Sequence, residues 1–465
     1  MRISSVLLAC SLAVSAVAQK PSTAPPTVAE AKAFLDRANA ALLKAATDGS
    51  HAEWLAETYI NEDSEATTAL LNEQSSKLAL DLIAESHRYD KLTLPAPMRR
   101  QMMLLQVGAP AAPHDPKLLA EETKLAASLT GAYGKGKFCP TPDKCMSVDD
   151  VDTFMAKTRD ANELTKVWVG WHSVGVPMRK DYERFIELQN IGAKEQGYKD
   201  TGDLWRAGYD MTPAQFSAEV NRAWTQLEPL YRELHTYVRH RLIAKYGAAA
   251  DRKDGMIPAQ LLGNTWAQEW GNIYDIVGPA DPKLAQFKPV DLEAALIRQI
   301  GDREKSATQP YFQCMVKSAG DAKACGDNSD TAYKAHLVAA NDMVKYGESF
   351  FTSLGFAPLP KTFWERSQFV HPRDRDVVCH ASAWDVDQVE DLRVKMCIEV
   401  NDDYFTTVHH ELGHNFYQRA YNRQPMIFRG GANDGFHEAI GDAIALSITP
   451  AYLKQIGLTD SEPPA

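Results

Sequence analysis

Residues 406–418 read TTVHHELGHNFYQ, three histidines and a glutamate in a stretch short enough to be one helix or one loop. Within it, His410-Glu411-Leu412-Gly413-His414 is H-E-x-x-H. On a helix, positions four apart differ by about 40° in azimuth, so both imidazoles reach one ion from one face. Glu411 sits beside the first ligand and can reach a water on that ion, the geometry a general base needs. His409 lies about 100° round from His410 and about 140° from His414, which assigns it to packing or a hydrogen bond.

A catalytic zinc site needs a third protein ligand. The metzincin continuation fails, because Tyr417 and Ala420 stand where it requires Gly and His. Downstream, GGANDGFHEAIGDAIALS (430–447) opens with glycines and turns helical, with Glu438 and Asp442 four apart on one face. A second helix packed on the first would deliver Glu438 as the third ligand and Asp442 as acceptor for a ligand histidine N–H. His437 competes for the ligand role but points about 100° away from Glu438. Two neutral imidazoles and one carboxylate leave a zinc site net positive with an open fourth position. Such an ion lowers the pKa of a bound water to about 7 and polarises a carbonyl.

Outward from this stretch the pattern is helical. Apolar residues recur every three or four positions in 28–48, 66–89, 227–246 and 331–354. One region breaks the rhythm. DVVCHASAWD (376–385) and DLRVKMCIEV (391–400) are β-branched and alternating around an acidic turn. They predict a small antiparallel hairpin just before the metal helix, with Cys379 and Cys397 placed one on each arm to staple it. No fixed-period repeat, low-complexity segment or interior linker divides the chain, so one large helical domain is the simplest account.

The first residues carry one Arg, an apolar run from Ile3 to Val17 and the small residues Ala16-Val17-Ala18. That reads as a signal peptide over 1–18, since the run is short of the roughly 20 residues that span a bilayer. A Pro-rich linker over 19–27 follows, then the catalytic domain over 28–465. Later stretches contain no long uncharged apolar run, so the mature chain is expected to have no membrane span and to be exported, secreted or periplasmic. Removing the signal takes Cys10 and leaves Cys139, Cys145, Cys314, Cys325, Cys379 and Cys397, an even set that favours disulfides in an exported chain, with local pairing favoured and the connectivity open. A net charge of -11 without a Lys/Arg cluster argues against nucleic acid as a partner.

TTVHHELGH followed by GANDGFHEAIGDAIALS, with VVCHASAWD ahead of it and LLGNTWAQEWGNIYDIV (261–277) further upstream, resembles the angiotensin-converting-enzyme family of zinc peptidyl-dipeptidases. The resemblance runs from about residue 28 to the end. It implies a mainly α-helical ellipsoid with a deep central channel and N-terminal lid helices, and release of dipeptides from the free C-termini of oligopeptides. By resemblance, one zinc per chain is held by His410, His414 and Glu438, and Glu411 is the general base that passes its proton to the leaving amine. His380 and Ala381 match positions that hydrogen-bond substrate backbone. Gln268 matches a residue that binds the substrate's terminal carboxylate; read alone, it is a polar residue on an aromatic-rich helix. The three local cysteine pairs match the family's disulfides.

Two departures stand out. In WVGWHSV, His172 replaces an Arg that helps bind an activating chloride in animal members, which implies a chloride requirement weakened or absent. The sequence also stops 27 residues past Glu438, whereas the family continues through helices that supply groups gripping the substrate carboxylate and the tetrahedral intermediate. The expectation is therefore a C-terminally shortened peptidase, with a peptide- or metal-binding chain of little activity as the alternative. A different H-E-x-x-H peptidase, such as an aminopeptidase, would need an acidic site for a substrate α-amine, and no Gly-rich exopeptidase signature stands near the motif.

Overall fold

The computed structural model describes residues 25–279, 290–327 and 329–460. The signal peptide, Cys10 and most of the Pro-rich linker lie outside them. Described residues are 66% helix and 4% strand, which establishes the mainly α class.

The chain opens with α1 (Val28–Thr58), α2 (Glu62–Ser86), α3 (Ala96–Val107) and α4 (Pro116–Gly134). Their ends follow from capping chemistry. Thr27 and Glu30 form a reciprocal capping box at α1, and Asn61 accepts from the first amides of α2, so donors without intrahelical partners are satisfied at the chain reversal. Next come β1 (Phe138–Thr141), β2 (Lys144–Met146), α5 (Val148–Lys157), α6 (Ala161–His172), α7 (Arg179–Glu195), α8 (Thr201–Ala207) and α9 (Pro213–Tyr246). After α10 (Tyr274–Val277), α11 (Leu292–Arg303) and α12 (Gln309–Lys317) lead to α13 (Asp330–Ser353) and α14 (Lys361–Arg366). The last part is β3 (Ser382–Asp385), β4 (Leu392–Lys395), α15 (Asp402–Tyr421), α16 (Asp434–Ala445) and α17 (Pro450–Gln455).

The hairpin expected at 376–400 is β3–β4, paired Ser382 with Lys395 through Asp385 with Leu392. A second hairpin, β1–β2, escaped the sequence reading. It is tied by Cys139–Cys145 and its residues are largely exposed, so it lacks the half-buried alternation that marks a strand. The other bridges are Cys314–Cys325 and Cys379–Cys397.

The core that positions the site lies under α15. Phe405, Val408, Leu412 and Phe416 recur at helical spacing and pack on Met343, Val344 and Phe351 of α13, with Phe351 and Phe416 stacked 4.0 Å apart. Truncating such an aromatic costs about 3–5 kcal/mol. With one face committed to this core, α15 turns its opposite face toward β3 and α16. Helix α9 departs from its periodicity: of its apolar residues only Val238 and Leu242 are buried, whereas Leu227 and Leu230 are 59% and 70% exposed. Among the described residues, no helix is long and apolar enough to cross a membrane.

Candidate metal centre

Asn401 starts α15 by accepting from the Tyr404 amide at 2.8 Å, which sets the register that puts His410 and His414 on its inner side. Asn433 caps α16 in the same way through the Phe436 amide. The two helices cross where Gly413 meets Gly441. A Cβ built on Gly441 would stand 2.7–2.8 Å from three atoms of the His410 ring, so the absent side chain is the space the imidazole occupies.

His410 Nε2 lies 2.9 Å from His414 Nε2 and 3.3 Å from Glu438 Oε2, and His414 Nε2 lies 3.8 Å from Glu438 Oε1. A tetrahedral zinc with bonds of about 2.0–2.1 Å separates its ligand atoms by about 3.3 Å. The three donors bracket that value, so the set fits such an ion. Burial first, and the charge of His410 second, push His414 down to about 4, which leaves its ring neutral and its lone pair free near neutral pH. Each histidine is oriented from behind. Asp442 Oδ1 lies 3.1 Å from His410 Nδ1, and His437 Nδ1 lies 2.7 Å from His414 Nδ1. His437 Nε2 is in turn 3.0 Å from the Tyr421 hydroxyl. If His414 uses Nε2 for an ion, its Nδ1–H donates to His437, whose Nε2–H donates to Tyr421.

Glu411 is buried. Its Oε2 has no hydrogen-bond partner. Burial, then the nearby charge of Glu438, pushes its carboxyl up to about 8, against opposing effects of Lys395 and the Ala383 amide. A ligand atom of Glu411 also falls within 4.8 Å of those of His410 and His414, so it stands beside the donor set. His409 faces away: fully buried, it contacts the Phe405 carbonyl through Nδ1 at 2.8 Å and the Tyr452 hydroxyl through Nε2 at 3.1 Å.

Gln268 is not on a helix. It sits in the irregular segment after the short turn Ala259–Leu261, because Gly263 (φ +94°) and Ala267 (φ +58°) take left-handed backbone that breaks the helical pattern. The segment still brings Gln268 to a cavity of about 250 Å³ shared with His380, Ala381, Tyr404 and Asp149. Burial pushes Asp149 up to about 7. The sequence reading missed Asp149, the positioning contact of His437 and the Lys395 ammonium. His437 was weighed only as a ligand, and its adjacency to Glu438 was the available signal. His172 has its ring 3.9 Å from that of Trp168 and its Nδ1 on the Trp168 carbonyl.

Residues 25–465 match the peptidase M2 family, described as angiotensin-converting enzyme. The chain belongs to the angiotensin-converting enzyme family. It is 40% identical over 343 residues to the angiotensin-converting enzyme of Sus scrofa, a match covering 72% of this chain and 23% of the pig protein. To that of the leech Theromyzon tessulatum it is 38% identical over 341 residues, covering 72% and 48%. To the Bos taurus enzyme it is 35% identical over 457 residues, covering 95% and 31%. The chain thus spans less than half the length of these three relatives. Membership of the angiotensin-converting enzyme family makes it a peptidase family protein and implies a metal cofactor, for which the His/Glu cluster on α15 is the candidate holder.

Proposed function

We propose that this protein is a zinc peptidyl-dipeptidase that releases dipeptides from the free C-termini of oligopeptides. The observation that carries the reading is the convergence of His410, His414 and Glu438 within 2.9–3.8 Å, beside a buried Glu411 oxygen without a partner. His410, His414 and Glu438 would hold the zinc, which when bound supplies Lewis-acid polarisation of a carbonyl and a more acidic water.

The chain's own residues do the rest. Asp442 and His437 fix the tautomers that leave Nε2 of both histidines free. Glu411, buried beside the donor set, keeps Oε2 available to take the proton of the attacking water and hand it to the leaving amine. His380 and Ala381 receive the peptide backbone along the lead-in to β3, and Gln268 takes the terminal carboxylate across the same cavity. The disulfides and the absence of a membrane-spanning helix among the described residues support export, secreted or periplasmic. With the His172 ring engaged by Trp168, a chloride requirement at that position is weak or absent.

The test is mass spectrometry of products from an N-terminally blocked oligopeptide, with and without a zinc chelator. Dipeptide release that the chelator stops, and that Glu411→Gln lowers by about 10²- to 10⁴-fold with zinc retained, is the expected result. A folded, zinc-loaded chain that cleaves nothing would leave the binding-only reading instead.

A further inference from the structure

Lys395 on β4 has a side chain only 1% exposed. Its Nζ donates to the Val378 carbonyl at 2.9 Å and the His380 carbonyl at 2.9 Å, and pairs with Glu57 Oε2 of α1 at 2.7 Å. An ammonium has three donors, so every one is used. A buried charge this fully satisfied is held in one geometry, because moving it strands two carbonyls and a carboxylate.

The two carbonyls belong to residues two apart and converge on one Nζ, so they point to one side. Past a bend at His380 the chain enters β3, and Ala381 lines the cavity it shares with Gln268. The same segment is tied to the end of α1 by three more contacts. The Val378 amide donates to the Glu57 carbonyl at 2.8 Å, the Ile60 amide to the Asp376 carbonyl at 3.2 Å, and Arg375 Nε to the Thr58 carbonyl at 2.8 Å. Cys379–Cys397 fixes the chain between the two gripped carbonyls.

We propose that Lys395 is a positioning residue for substrate: by gripping the carbonyls of Val378 and His380 and the carboxylate of Glu57, it locks the 378–381 edge at the angle that lets His380 and Ala381 receive a peptide backbone. The inference rests on the peptidase reading for its kinetic consequence, but the locking itself does not need activity. Because the edge binds the peptide before and during reaction alike, its loss acts on binding rather than on the chemical step.

Two variants test it in the full-length protein, Lys395→Met and Glu57→Gln, each read by zinc content, steady-state kinetics and amide hydrogen exchange of residues 376–383. In Lys395→Met, KM should rise about tenfold or more while zinc content is unchanged. Exchange of the 378–383 amides should accelerate by about tenfold or more. Glu57→Gln keeps the shape and removes the charge on a side chain 24% exposed; both effects should persist at about threefold. A general loss of structure would instead lower kcat and zinc content with KM intact. A folded Lys395→Met with unchanged KM and exchange overturns the proposal; if that variant does not fold, unchanged KM and exchange in Glu57→Gln overturns it. Should the wild type release no dipeptide, the peptidase reading fails, and the exchange data alone decide the locking role.

Discussion

Helices α15 and α16 serve one site under opposite conditions. Nine residues of α15 are buried, including Glu411 and His414, whereas Gly441 is the one buried residue among those described in α16. The side chains of Glu438 and Asp442 are 65% and 70% exposed. The histidines are thus fixed by the packing of their own helix. The carboxylates depend on a glycine crossing and on two contacts to His410. Preorganisation is concentrated on the side that carries the proposed general base, and adaptability on the side that would complete the donor set.

That contrast can be broken most severely at the crossing. Gly441→Ala places a methyl where the His410 ring stands, and zinc affinity should fall by about 10²-fold or more, read by competition with a chromogenic chelator while circular dichroism stays native. Next, packing should separate the helices: Leu412→Ala should cost about 2–5 kcal/mol in urea unfolding. Asp442→Asn tests the open side, where loss of the carboxylate charge behind His410 should weaken zinc by about 10- to 100-fold. If it left affinity unchanged, α16 would contribute Glu438 alone.

A smaller effect concerns pH on the sealed side. Asp385 of β3 is 6% exposed, and burial, then Asp387, pushes its carboxyl up to about 7. The folded state therefore holds a proton that the unfolded chain releases near pH 4, and stability falls as pH climbs from about 4 to about 7. Asp385→Asn removes that fall, so its Tm should exceed the wild type by roughly 3 °C at pH 8 and show no such gain at pH 4. Equal differences at both pH values would rule the linkage out. Smallest of all, Leu446→Ala, at a residue 81% exposed just past α16, should change stability by no more than about 0.5 kcal/mol. A cost equal to that of Leu412→Ala would erase the comparison.

What was legible in the sequence had local periodicity behind it. Helices over 28–48 and 331–354, the hairpin before the metal helix, and the spacings His410 to His414 and Glu438 to Asp442 are short-range patterns that the structure realises as α1, α13, β3–β4, α15 and α16. Features set by tertiary placement stayed hidden. The exposed β1–β2 hairpin has no buried face to impose alternation. Gln268 looked helical because its neighbours are apolar and aromatic, while left-handed backbone at Gly263 and Ala267 decides otherwise. Lys395 alternates with apolar neighbours as a solvent-facing strand residue would, and only the approach of α1 with Glu57 turns it inward. In α9 the spacing at 227–246 does mark a helix, but its stripe is largely exposed, since apolar spacing marks a face able to be buried without stating that it is.

The meeting of α1 with the hairpin also has an optical side. Trp54 of α1 and Trp384 of β3 lie 5.6 Å apart, nearly perpendicular, with the Arg393 guanidinium 4.9 Å from the Trp54 ring. Two indoles this close couple their electronic transitions, and the strength of that coupling depends steeply on their separation and angle. The protein therefore carries its own chromophore pair across the joint between α1 and the β3–β4 hairpin. A near-ultraviolet dichroism band that Trp54→Phe removes would report any peptide-induced shift of that joint without an added label.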